Sequence, residues 1–213
     1  MSIPSSIYLY RIIHIHNLEY ILRTGKLTCM NHPEADTSYI GIGDDTLKES
    51  RKGKKIALKP FGTFSDYVAF YFGYRSPMLY NIVNGYQGVQ KRSQEEIIYL
   101  VTAYDKIKEL DLEYVFFDGH GYHSLSELYN TELGFSSIDW NMVKSKRWND
   151  TEADPDCKRR KQAEFLIYQS LPIEAILGIG VLNEQAKQNV NSCLEKINIK
   201  DIRVLLKPDY YYL

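Results

Sequence analysis

The sequence predicts an α+β fold closed into one domain over residues 1–213, and three observations lead there. Short β-branched and aromatic runs alternate with helical patterns, without the regular strand–helix–strand repeat of a doubly wound sheet. At 213 residues with 44% hydrophobic composition, the chain can close one sizeable core. It contains no glycine-rich phosphate loop and no internal repeat that would argue for another architecture. No 18-residue apolar run occurs, and the first residues lack a basic region followed by a long apolar stretch, so neither membrane insertion nor secretion is expected. Cys29, Cys157 and Cys193, odd in number and far apart, fit neither a disulfide framework nor a paired zinc motif, which points to a reducing, cytoplasmic setting. A formal charge of -1 argues against a broadly basic coat, although the cations that are present cluster.

Ile7–Ile13 is β-branched and aromatic enough for a first strand. Asn17 then reads as the N-cap of a helix through Leu22, which Gly25 closes in the left-handed conformation. His14 and His16 lie two apart with no other ligand type nearby in sequence, so a hydrogen-bonding role outweighs a metal site. Residues 30–38 form a polar loop of the kind that covers sites, and Tyr39–Ile42 is a short apolar piece. Asp44 or Asp45 caps a helix to Arg51, followed by the basic run Arg51–Lys55. In the aromatic block 62–80, Ser65 or Asp66 is expected to cap a short aromatic helix, Gly73-Tyr74-Arg75 to turn, and Ser76-Pro77 to start a second helix. Strands follow at 96–101 and Tyr114–Phe117, the latter leading into the glycine-rich loop Asp118–His123. A helix is expected at 137–146, a polar acidic stretch at 148–156, a strand at 175–182, a capped helix at 183–197 and a strand at 202–206.

The rest of the chain is organised around residues 158–168, Lys-Arg-Arg-Lys-Gln-Ala-Glu-Phe-Leu-Ile-Tyr. Four basic residues precede Glu164, which stands at the entrance of an apolar, β-favouring run that reads as a buried strand. A carboxylate beside Arg159, Arg160 and Lys161 is expected to stay ionised, and a fixed anion suits stabilising a developing cation. The competing reading is an exposed glutamate paired with a neighbour.

Four landmarks taken together carry a resemblance: residues 10–18 (Tyr-Arg-Ile-Ile-His-Ile-His-Asn-Leu), residues 66–72 with Arg75–Leu79, Phe117-Asp118-Gly119-His120, and Lys161-Gln162-Ala163-Glu164-Phe165-Leu166. In this order they resemble the DarT family, toxins of bacterial toxin–antitoxin systems that use NAD to ADP-ribosylate a base in DNA. The resemblance spans nearly the whole chain and implies an ADP-ribosyltransferase-like fold with a split mixed β-sheet core and surrounding helices. It makes Glu164 catalytic, behind a substrate-recognition loop at about residues 148–162, and places the family's essential arginine on Arg51. An oxocarbenium-like ribose is what a fixed carboxylate would stabilise, as in glycoside hydrolysis.

By the same resemblance NAD is the co-substrate, without a metal, and its cleft would be lined by Arg11, His14, Asn17, Gly25, Leu27, Tyr67, Tyr71 and Arg75. Tyr74, His120, Lys158 and Arg159 would meet the acceptor DNA. Ala69 and Tyr74 stand where proline is common in the family; the first should only loosen a helix start. The acceptor should be single-stranded, because a base inside a duplex cannot reach a buried ribose without flipping. Clusters 51–55, 144–147 and 158–161 would guide its backbone, and an antitoxin that reverses the modification or masks the cleft is implied. The sequence leaves thymine and guanine open as the modified base. Two alternatives compete: an NAD-dependent transferase acting on RNA or protein, and a non-catalytic nucleic-acid-binding module.

Overall fold

A computed structural model describes residues 2–212. The strands are β1 (Tyr8–His14), β2 (Lys26–Thr28), β3 (Tyr67–Tyr71), β4 (Ile97–Ala103), β5 (Tyr114–Phe117), β6 (Leu128–Tyr129), β7 (Glu164–Tyr168), β8 (Ser170–Pro172), β9 (Gly178–Val181) and β10 (Arg203–Leu206). The helices are α1 (Leu18–Thr24), α2 (Asp45–Lys52), α3 (Pro77–Asn84), α4 (Tyr104–Glu109), α5 (Trp140–Lys144), α6 (Cys157–Lys161) and α7 (Glu184–Lys196). No helix among the described residues is long and apolar enough to cross a membrane.

Eight strands form one mixed sheet in the order β10-β9-β4-β1-β3-β7-β5-β6, and β2 pairs with β8 in a small second sheet. Within the large sheet only β10 and β9 run parallel. β1 pairs with β4 along its whole length, Tyr8 opposite Ala103 through His14 opposite Ile97, but meets β3 only where Tyr10 faces Tyr71. The sheet is therefore split between β1 and β3. Arg11 reaches across the split and its Nη1 donates to the Ala69 carbonyl at 2.7 Å, giving that acceptor a partner which a continuous ladder would have supplied.

Alternation along the central strands sorts the core. Leu9 and Ile13, Val68 and Phe70, and Phe165 and Ile167 pack into one apolar cluster with α1 and α7 residues such as Ile21 and Val190. Ile12 and Tyr99 face the opposite way, against Leu79, Ile82 and Tyr211. Burying each such Leu, Ile or Phe is worth about 1.5–3 kcal/mol, so these faces hold the strand registers.

Most expected elements stand close to where the sequence puts them, and the departures have identifiable causes. The aromatic helix after Asp66 does not form: Tyr67–Tyr71 is the central strand β3. Asp66 closes the turn behind it, its Oδ2 accepting from the Thr63 N–H at 2.7 Å, and the β-favouring run Tyr-Val-Ala-Phe-Tyr then finds β7 along its full length. Ala69 accordingly lies mid-strand rather than at a helix start. Asn17 does not cap α1 with its side chain, which instead holds both backbone groups of Ile40, at 2.9 and 2.8 Å. The helix expected at 137–146 shrinks to α5 because Ile138 is extended and Asp139 caps the next turn through the Asn141 and Met142 N–H groups. The sequence reading misses the short elements α4, α6, β2, β6 and β8.

Gly73 lies where the end of β3 crosses α5, and a Cβ built there would stand 1.9 Å from the Val143 carbonyl oxygen. Gly73→Ala is expected to lower the free energy of unfolding by about 1–3 kcal/mol, read by urea titration. An unchanged midpoint would contradict this packing.

Candidate active site

A cavity of about 970 Å³ opens between α2, the loop after β2, β3 and the segment leading into β7. Glu164 is not itself in the lining; it lies directly behind Arg51 and His120, which are, and strand register places it there. Glu164, the first residue of β7, faces Tyr71 on β3 and Phe117 on β5, so three strands set its position. It is 1% exposed, which disposes of the reading as a surface glutamate.

The cations expected to hold Glu164 are not those that do so. α6 is helical and turns its basic residues to other partners. Arg159 pairs with Asp156 at 2.7 Å and Asp118 at 3.1 Å, Arg160 pairs with Asp139 and Asp154, and Lys161 is buried against backbone carbonyls. The counter-ion is Arg51, 113 positions away in sequence. Its guanidinium grips both carboxylate oxygens, Nη1 to Oε1 at 3.2 Å and Nη2 to Oε2, in the two-pronged geometry that lysine cannot copy. The Gly121 N–H donates to Oε1 at 3.2 Å, and His120 Nε2 lies 3.9 Å from the same atom.

Burial by itself would raise the Glu164 carboxyl, but the Arg51 guanidinium, then His120 and the Gly121 N–H, overcome it and leave it below the ordinary glutamate value. Burial lowers His120 more than Glu164 raises it, so its imidazole is neutral near pH 7. Phe64, which the sequence reading passed over, supports the arginine: the guanidinium carbon stands 4.5 Å from its ring centroid, and that ring stacks on Phe117 at 5.5 Å. Only the loop's folding brings Phe64 there, and no local sequence signal marks it.

Of the residues expected around NAD, Arg11, Leu27, Tyr67 and Tyr71 line the cavity together with Arg51. Arg11 Nε is buried and has no hydrogen-bond partner. Four expected residues lie outside the lining. His14, three positions beyond Arg11 on an alternating strand, takes the other face, its Nδ1 accepting the His16 N–H at 3.2 Å and its Nε2 3.7 Å from Glu96. Asn17 is spent on Ile40 and so acts on the covering loop, whose Ala35, Asp36, Tyr39 and Gly41 do reach the cavity. Gly25 is the left-handed cap of α1, at φ 73°, where it lets the chain turn into β2. Arg75 stacks on Tyr212 at 4.9 Å instead of entering the cleft.

Of the residues expected at the acceptor, His120, Lys158 and Arg159 line the cavity, with Asp150, Pro155 and Gln162 beside them. Tyr74 does not; it stacks on Tyr210 at 4.3 Å. Among the described residues, no cluster of three histidine, cysteine or acidic side chains is arranged to hold a metal ion.

Comparison with known proteins decides the family. Residues 10–212 match the family model described as "DarT: ssDNA thymidine ADP-ribosyltransferase, DarT". The chain belongs to the DarT family. A relative from Thermus sp. (strain 2.9), named "DNA ADP-ribosyl transferase", is 34% identical over 213 residues, covering 98% of each chain. The solved structure "Thermus sp. 2.9 DarT in complex with ADP-ribosylated ssDNA" superimposes with a TM-score of 0.92 at 32% identity, covering 100% of this chain and 99% of the other. "Thermus sp. 2.9 DarT in complex with NAD+" gives 0.84 at 32% identity, over 99% of this chain and all of the other. The split sheet, with Glu164 opening β7, is thus a DarT-family scaffold.

Arg51→Met would strand the buried carboxylate, at an expected cost of about 3–5 kcal/mol at pH 7. The sign with pH follows from the two states of Glu164. In the wild type its folded value is depressed, so the stabilisation is present above the unfolded value and lost as pH falls through the folded one. In the variant, burial is opposed only by His120 and the Gly121 N–H and raises the folded value, and the gap to wild type should close on acidification. Urea titrations of both proteins from pH 7 to about pH 4 read it; a gap that widens would contradict the pairing.

Proposed function

We propose that this chain transfers ADP-ribose from NAD to the base of thymidine in single-stranded DNA, releasing nicotinamide. The observation that carries this reading is the buried Glu164 carboxylate, kept ionised by Arg51, which with Tyr71 and His120 stands between it and a cavity wide enough for a dinucleotide. Breaking the bond between nicotinamide and the ribose anomeric carbon sends the bonding pair to the leaving ring and leaves an oxocarbenium-like sugar. Glu164 faces that cation with a preorganised negative charge. Arg51 keeps the carboxylate from protonating, and its remaining N–H donors suit the pyrophosphate or the acceptor carbonyl.

In thymidine the deoxyribose occupies N1, so N3 is the ring nitrogen left to form the new bond, and its proton must depart. His120, neutral through burial, lines the same cavity and offers a lone pair to the base. Arg11, Leu27, Tyr67 and Tyr71 form the NAD side of the cleft and Lys158 and Arg159 the acceptor side in this reading. Among the described residues Lys52, Lys55, Lys144, Lys146, Arg147 and Lys158 make no side-chain ion pair, which leaves them available to phosphates. A partner that removes the modification or masks the cleft would restrain such an activity in a cytoplasmic toxin.

Radiolabelled NAD offered with a thymidine-containing oligonucleotide, with its thymidine-free counterpart and with the duplex tests the proposal. Label should enter only the first, and Glu164→Ala should reduce transfer by at least about 10²-fold with an unchanged circular dichroism spectrum. Equal labelling by Glu164→Ala, or of the thymidine-free strand, would overturn it. Oligonucleotide affinity is expected to fall steeply with salt, with a log–log slope of about −0.7 for each phosphate neutralised; a salt-independent affinity would remove the basic track from the account.

A further inference from the structure

Lys161 is 1% exposed, yet no carboxylate reaches it. Its ammonium donates to the carbonyls of Val143 and Ser145, both at 2.8 Å. Burial pushes it down to about 7, and the nearby Arg75 guanidinium adds to the effect. A buried charge without a counter-ion is expensive, and a methionine of similar length would fill the same space at lower cost. Retaining the lysine therefore calls for a role that its donors perform.

The two carbonyls define that role. Val143 and Ser145 lie at the C-terminal end of α5, where intrahelical donors run out and the helix dipole favours a cation. The Val143 carbonyl is also the group against which Gly73 packs, and the neighbouring Phe72 N–H bonds the Ala163 carbonyl at 3.2 Å. One buried ammonium thus joins the end of α5 to the residues entering β7, beside the turn that follows β3. The chain that leaves α5 carries the exposed cations Lys146 and Arg147 and then Asp150, Pro155 and Asp156 of the cavity wall.

We infer that Lys161 is a positioning residue for the transfer reaction, clamping the start of the acceptor-side wall, residues 145–156, to the segment that delivers Glu164. The inference rests on the proposed transferase reading. It assigns Lys161 no contact with either substrate. Because Arg11, Leu27, Tyr67 and Tyr71 come from β1, β2 and β3, the clamp should govern engagement of the oligonucleotide and not of NAD.

Lys161→Met keeps the apolar stem and removes the donors, while Lys161→Gln keeps a pair of N–H donors without the charge. Steady-state kinetics with NAD and a single-stranded oligonucleotide should show the oligonucleotide KM raised at least about tenfold in Lys161→Met and the KM for NAD within about twofold of wild type. Lys161→Gln should fall between the two. Amide hydrogen exchange should quicken over residues 145–156 in Lys161→Met, with α7 unchanged. An unaltered oligonucleotide KM with unaltered exchange would overturn the inference, as would an equal rise in both KM values, which would indicate general loosening. Should the wild-type chain transfer nothing to DNA, the proposed function fails, and exchange over 145–156 alone decides whether Lys161 clamps the wall.

Discussion

The bidentate ion pair between Arg51 and Glu164 is the interaction on which the site depends. Neither half is held there by apolar burial of its own helix or turn. α2, which carries Arg51, buries none of its residues, and Asp44 secures its first turn through the Leu47 N–H. What fixes Arg51 is its guanidinium, lying over Phe64 and reaching Glu164. Glu164 in turn is fixed by the sheet, between Tyr71 and Phe117 on adjacent strands. A rigid register therefore presents the anion, and a surface helix with no buried residue of its own supplies the cation that makes its burial tolerable.

That arrangement explains why a family scaffold of this kind tolerates a split sheet. A continuous ladder between β1 and β3 would occupy the Ala69 carbonyl that Arg11 now reaches, and Arg11 would have no route into the cavity. The single Tyr10–Tyr71 pair keeps the two halves in register. Around the mouth, polar side chains secure loops instead of entering them: Asn17 on Ile40, and Arg159 on Asp118 with its own carbonyl accepting the His120 N–H at 3.0 Å.

How far the sequence discloses this depends on the range of the interactions. Strands with continuous apolar, β-favouring runs, such as Tyr114–Phe117 and the run from Glu164, are legible because the fold buries both of their faces. The cap at Ser76 with Pro77 and the left-handed Gly25 are legible because a local φ preference or cap bond decides them. The identity of Glu164's counter-ion is not: nearness in sequence points to Arg159, Arg160 and Lys161, and only the tertiary fold brings Arg51 to it. The same holds for Tyr67–Tyr71, whose aromatic richness suits helix or strand until β7 is in place, and for Lys161, which reads as part of a phosphate-guiding cluster beside Glu164 and is buried. His14 and Arg11 share a strand and a landmark, yet alternation sends them to opposite faces, a separation that a residue-by-residue resemblance does not register.

The central claim is that Arg51 keeps a fully buried Glu164 ionised just behind the wall of the cleft. Carbon-13 NMR titration of the Glu164 carboxyl, assigned by comparison with Glu164→Gln, measures this without reference to activity. The wild-type resonance should titrate below the ordinary glutamate value, and in Arg51→Met it should move above it, because burial outweighs the weaker pull of His120 and the Gly121 N–H. A wild-type carboxyl that titrates above the ordinary value, or one that does not respond to loss of Arg51, would contradict the account.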